Sequence, residues 1–208
     1  MKQILCFGDS NTYGLIPGTA GRYGWNERWT SIVQEHIKDK GYRILEEGLC
    51  GRTTVFDDPL RKGRRGSELL PTLLETHNPI ELAIIMLGTN DCKTVYDASA
   101  GVIGLGAKQL IGQIKTFNPH IKILLVSPIY LGDDVWNGYD PEFNEISVQT
   151  SKKLKEVYEK IALDENVYSL AASDYAEASS ADREHLDIYG HKALAQAVLE
   201  KVKDILNI

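Results

Sequence analysis

Glu81-Leu82-Ala83-Ile84-Ile85-Met86-Leu87 runs directly into Gly88-Thr89-Asn90-Asp91. From Leu82 onward the run is apolar at odd and even positions alike, so a strand built from it is apolar on both faces. Such a strand belongs inside a parallel sheet with helices packed on each side. The glycine, hydroxyl and amide that follow are turn formers and mark the strand's carboxyl end.

Working outward, residues 121–127 (Ile-Lys-Ile-Leu-Leu-Val-Ser) repeat the pattern, and 3–7, 42–46 and 167–170 are shorter strands of the same kind. Between them the apolar residues recur at helical spacing. Residues 28–38 place Trp29, Ile32, Val33 and Ile37 on one face. Further helices are predicted over 67–76 with Ser67 as cap, over 98–117 and 141–164, and over 188–206 with Asp187 as N-cap. Five strands alternating with five helices predict an α/β chain. The expected architecture is a three-layer α/β/α sandwich with a five-stranded parallel sheet, flavodoxin-like strand order and right-handed crossovers. Without repeats, linkers or low-complexity tracts, residues 1–208 read as one domain.

Composition narrows the function. The 23 basic and 29 acidic side chains leave a net charge of -6, which opposes general affinity for nucleic acid or an anionic membrane. The one basic cluster, Arg61, Lys62, Arg64 and Arg65, reads as a solvated loop. The apolar run after Lys2 stops at Gly8-Asp9, too short for a secretion signal, and no stretch is long enough to span a membrane. Cys6, Cys50 and Cys92 have no paired spacing and read as small buried residues, so the expected location is the reducing cytoplasm.

In a doubly wound sheet, ligands bind beyond the carboxyl ends of the strands. Here those ends carry Gly8-Asp9-Ser10, Gly48-Leu49-Cys50-Gly51 and Gly88-Thr89-Asn90-Asp91. A serine at such a turn exposes its hydroxyl and directs its own N–H into the site, but it needs an adjacent base to become a nucleophile. Asp182-Arg183-Glu184-His185 supplies one. A carboxylate three residues before a histidine reaches back to Nδ1–H and turns Nε2 toward the nucleophile. The nearby start of the last helix is expected to help keep that imidazole neutral. Asn90 offers side-chain N–H and Gly51 backbone N–H to a developing oxyanion, donors worth about 3–4 kcal/mol each elsewhere. Each piece alone has a plain reading as turn or solvated loop. Their joint arrival at the correct strand ends favours the chemical one.

The blocks Phe7-Gly8-Asp9-Ser10, Gly51, Gly88-Thr89-Asn90-Asp91 and Asp182-Arg183-Glu184-His185 resemble the four conserved blocks of the GDSL/SGNH hydrolases, in the same order along the chain. The Gly-x-Ser-x-Gly elbow of α/β-hydrolases is absent. The resemblance implies Ser10 as nucleophile, His185 as base, Asp182 as its orienting acid, and Ser10 N–H, Gly51 N–H and Asn90 as the oxyanion hole. Residues 4–10, 46–54 and 84–91 are similar to the aryl-esterase and acyltransferase branch. That similarity implies hydrolysis of short-acyl esters, acyl transfer as a side activity, and a homo-oligomer whose contacts narrow the pocket. Tyr13 and Asn11 depart from that branch, which typically has a tryptophan and an aliphatic residue there. Carbohydrate O-acetyl esterase, lysophospholipase and thioesterase are variants on the same machinery. A non-catalytic flavodoxin-like binding module is the alternative from another class.

Of the remaining residues, Tyr13 and Lys93 are expected to edge the substrate pocket. Trp25 and Trp29 are expected to pack the first helix, and His191 to stabilise the first turns of the last. Asp57 and Asp58 read as a turn rather than a metal site. Gly101, Gly104 and Gly106 near Lys108 lack phosphate-loop spacing and read as close helix packing. No metal or cofactor is called for, and the expected partner is a small ester.

Overall fold

The apolar runs become five parallel strands in a computed structural model that describes residues 1–208. They are β1 (Lys2–Gly8), β2 (Tyr42–Gly48), β3 (Ile80–Met86), β4 (Lys122–Ser127) and β5 (Tyr168–Ala171), in the order β2-β1-β3-β4-β5. The helices are α1 (Ser10–Tyr13), α2 (Trp29–Ile37), α3 (Gly66–Thr76), α4 (Ala100–Phe117), α5 (Glu145–Asp164) and α6 (Ile188–Leu206). The α/β class, the flavodoxin-like order and all five strands match the sequence reading. The four-residue α1 was not foreseen, because four residues carry no helical periodicity.

Strand residues alternate between two cores. Ile4, Cys6, Leu82, Ile84, Leu124 and Val126 pack with α2 and α6, whereas Leu5, Phe7, Ala83, Ile85, Ile123 and Leu125 pack with α3, α4 and α5. Each core holds 25 buried residues, so neither face of the sheet meets water. This explains why the central strands are apolar on both faces.

Helix starts show where local reading was off. Ser67 does not cap α3: Arg65 holds the cap position, without a side-chain bond. The Thr53 and Thr54 carbonyls accept from Gly66 N–H (3.0 Å) and Ser67 N–H (2.9 Å), so the preceding loop does the work of a cap. α5 begins at Glu145, where Asn144 and Ser147 form a capping box, rather than at residue 141. Asp187 caps α6 as expected, accepting from Gly190 N–H at 2.7 Å. Gly104 sits against Val157 of α5 and Gly106 against Thr54, consistent with close packing, while Gly101 meets only Ser99. Cys6 and Cys92 are buried, but Cys50 is only partly so. No helix is long and apolar enough to cross a membrane.

The sheet carries α1 on its rim at close quarters. At Gly48, the last residue of β2, a Cβ would lie 2.2 Å from Tyr13 N and 2.6 Å from Thr12 C, both backbone atoms. Backbone cannot rotate away as a side chain can, so Gly48→Ala is expected to displace α1. The expected loss is about 1–3 kcal/mol in urea unfolding, with a fall in any activity that depends on Ser10.

Candidate active site

Three strand ends and the loop before α6 converge at β1. The chain passes from β1 to β2 on one side and then to β3 on the other, so the carboxyl end of β1 is the switch point at which ligands bind in sheets of this kind. Ser10 opens α1 there. Asp9 caps it by accepting from Asn11 N–H at 3.0 Å, and burial raises the Asp9 carboxyl to about 6.

His185 Nε2 lies 2.9 Å from Ser10 Oγ, and His185 Nδ1 lies 2.8 Å from Asp182 Oδ2. With Nδ1–H donating to the carboxylate, Nε2 is left to accept from the serine hydroxyl. Asp182 is held firmly: Oδ1 accepts from Glu184 N–H (3.1 Å) and His185 N–H (2.9 Å), and Oδ2 also accepts from Gly18 N–H (2.8 Å). Burial works against its charge. The His185 ring and the backbone donors outweigh burial and hold the carboxyl at about 2.

The sequence reading expected the start of α6 to favour neutral imidazole. The structure corrects this: burial does push the His185 pKa down, but Glu184 and Asp182 overcome it, and the net direction is upward. Arg183, between them, takes a left-handed φ of 64°, a conformation uncommon outside glycine that turns the loop so that Asp182 can reach the ring.

Gly51 and Asn90 lie in the turns after β2 and β3, the two strands that flank β1. Gly51 has φ of 81°, a left-handed backbone that favours glycine, whereas the Arg61 guanidinium that a Cβ would meet at 2.7 Å is the end of a flexible side chain that can move aside. Asn90 is buried and donates one amide hydrogen to Arg52 O at 3.1 Å, leaving its second hydrogen without a protein partner.

Several residues that hold this arrangement were not singled out from sequence. Arg52 donates to Gly8 O at 2.9 Å and to Glu47 O, and stacks on Phe7, tying the Gly51 turn to the ends of β1 and β2. The Asp91 carboxylate accepts from Thr54 N–H (3.0 Å) and the Thr54 hydroxyl, joining the turn after β3 to that after β2. Asn11, noted only as a departure from a related branch, accepts from Leu186 N–H at 2.8 Å and donates to Glu184 O at 3.4 Å. It locks the His185 loop to the Ser10 turn. A polar residue directly after the candidate nucleophile was the available signal.

The other expectations separate. Tyr13 is half-buried beneath Arg22, whose guanidinium lies 4.3 Å from its ring. Lys93 is buried and bonds Glu142 at 2.6 Å. It lines a cavity of about 560 Å³ with Thr94, Asn144 and Lys153, which includes neither Ser10 nor His185. Trp29 is fully buried, whereas Trp25 lies half-exposed and donates to Glu35 of α2. His191 does not serve its own helix. Its Nδ1 accepts from Trp29 N–H at 3.3 Å, so it supports the start of α2, and burial pushes its pKa down to about 4. Asp58 accepts from Leu60 and Arg61 N–H as a turn residue, and no metal-binding cluster is present. The basic loop is more tied down than solvated: Arg61 pairs with Asp58, Arg65 with Asp57 and Glu68, and Arg64 donates to Cys50 O.

An α/β sandwich with serine, histidine and aspartate in hydrogen-bonded sequence at its rim has the organisation of a serine hydrolase. The chain belongs to the GDSL-like lipase/acylhydrolase family, whose model matches residues 6–193, and is a carboxylic ester hydrolase. Two solved structures are similar over 99% of this chain and 100% of their own. One is a carbohydrate acetylesterase from Sinorhizobium meliloti (35% identity, TM-score 0.92). The other is the aryl esterase of M. smegmatis (32% identity, TM-score 0.91). Comparison with the curated proteins found no match.

The Asn11 bridge gives a direct test. Asn11→Leu leaves the buried Leu186 N–H without its acceptor, and such an orphan costs about 1–3 kcal/mol. Urea unfolding is expected to show a loss in that range, together with a lower kcat from a loosened His185.

Proposed function

We propose that the protein hydrolyses small-acyl esters through an acyl-enzyme on Ser10, with His185 as general base and acid and Asp182 as its orienting partner. The observation that carries this reading is the unbroken path from Ser10 Oγ through the His185 ring to Asp182, at 2.9 and 2.8 Å. In the first half of the cycle, Ser10 Oγ bonds to the ester carbonyl carbon as its proton passes to His185 Nε2. The carbonyl oxygen takes the displaced electron pair and rests among Ser10 N–H, Gly51 N–H and the free Asn90 hydrogen. Collapse breaks the bond to the alcohol oxygen, which leaves with the proton held on Nε2. In the second half, water enters where the alcohol left and gives its proton to Nε2, and its oxygen attacks the acyl carbon. Collapse then frees the carboxylic acid and returns the proton to Ser10.

The base works only as neutral imidazole. Because its neighbouring carboxylates raise the His185 pKa, the proton is retained to higher pH than usual. The acid limb of kcat/KM is therefore expected to have its midpoint above the ordinary 6.5. Asp182→Asn removes both the charge and the tautomer control, so it is expected to lower that midpoint and cut kcat by several orders of magnitude.

The primary test is p-nitrophenyl acetate turnover and labelling by a fluorophosphonate probe. Ser10→Ala is expected to abolish labelling and lower kcat at least about a thousandfold. Wild type that neither labels nor turns over, or a Ser10→Ala variant with undiminished activity, overturns the reading.

A further inference from the structure

Glu184 is a buried carboxylic acid with no role in the cycle above. It lies between the orienting acid and the base in sequence, and only 7% of its surface is exposed. Its backbone is fixed at both ends, with N–H donating to Asp182 and C=O accepting from Asn11. The side chain itself makes no hydrogen bond to protein. Its nearest charged neighbour is His185 Nε2, 3.7 Å from Oε1. Burial, with the negative charges of Asp140 and Asp182, raises the carboxyl to about 7 against the pull of His185 and Lys93.

A carboxyl this enclosed has little water around its oxygens and no protein donor, so a donor that arrives there is worth more than it would be in open solvent. The position tells which donor. Nε2 is the atom that hands its proton to the departing alcohol, so the leaving oxygen sits within hydrogen-bond reach of Nε2, roughly 3 Å. Glu184 Oε1 flanks that same nitrogen. A hydroxyl on the carbon adjacent to the ester-bearing carbon can therefore reach the carboxyl, whereas a hydrocarbon there would shut out its remaining water and leave it unpaired. A site built to hydrogen-bond a substrate hydroxyl discriminates strongly against the analogue that lacks it.

On the reading of Ser10 and His185 given above, we propose that Glu184 is the specificity-determining residue for the leaving alcohol. It accepts a hydrogen bond from a hydroxyl adjacent to the scissile ester, so the preferred substrates are small-acyl monoesters of polyols or sugars.

The test compares two esters of nearly equal size, 2-hydroxyethyl acetate and propyl acetate, by kcat/KM. Wild type is expected to favour the hydroxylated ester at least about tenfold, a difference one well-placed hydrogen bond can supply. Glu184→Leu is expected to bring the ratio close to one. Glu184→Gln keeps an acceptor oxygen and nearly the same shape, so it is expected to retain an intermediate ratio and guards against misfolding of the leucine variant. A wild-type ratio near one, or an unchanged ratio in both variants, overturns the assignment. So does an equal fall for both esters, which would mean that Glu184 acts only through His185. If wild type hydrolyses neither ester and Ser10 does not label, the esterase reading fails and takes this inference with it. Labelling without discrimination sinks the inference alone.

Discussion

A parallel sheet covered by helices on both faces has no wet side. Each strand of the central three is apolar at nearly every position, and each buries its side chains into one core or the other. Polar groups can then gather only where the backbone leaves the sheet. The strand order puts β1 between β2 and β3, so the turns carrying Ser10, Gly51 and Asn90 emerge side by side. The site is a consequence of that confinement more than of any one interaction within it.

Confinement brings the turns near one another, and specific bonds fix their spacing. Arg52 joins the Gly51 turn to the ends of β1 and β2, Asp91 joins the turn after β3 to Thr54, and Asn11 joins the Ser10 turn to the His185 loop. All three are buried polar side chains whose partners are mainly backbone groups. In a dry setting such bonds hold geometry well, and an unpaired member is expensive. The spacing of the turns around Ser10 therefore rests on these buried polar bonds.

The electrostatics follow the same logic. Asp182 stays ionised because four donors meet its oxygens, whereas Glu184, one residue before His185 and more deeply enclosed, has none and is driven toward its neutral form. Two carboxyls in one loop thus acquire different characters from their surroundings alone, the means by which active sites separate acid from base roles. When charged, each raises the basicity of His185 against the opposing effect of burial.

The strands, their order, and the assignment of Ser10, Asp182, His185, Gly51 and Asn90 to one rim were legible because they rest on local signals. Hydrophobic period, turn formers and a three-residue Asp-to-His spacing are visible in any linear reading. Helix starts were less so. The cap of α3 is a pair of carbonyls from the Thr53–Thr54 loop, and His191 supports a helix 162 positions earlier. Neither leaves a local trace. The same holds for Arg52, Asp91, Asn11 and Glu184, whose residue types suit a solvated turn as well as a buried one. Sequence by itself determined which side chains could do chemistry and which strand ends would carry them. Only the tertiary structure decided which polar groups are buried, which are paired and which are left open, because desolvation and hydrogen bonding depend on neighbours the chain brings in from far away.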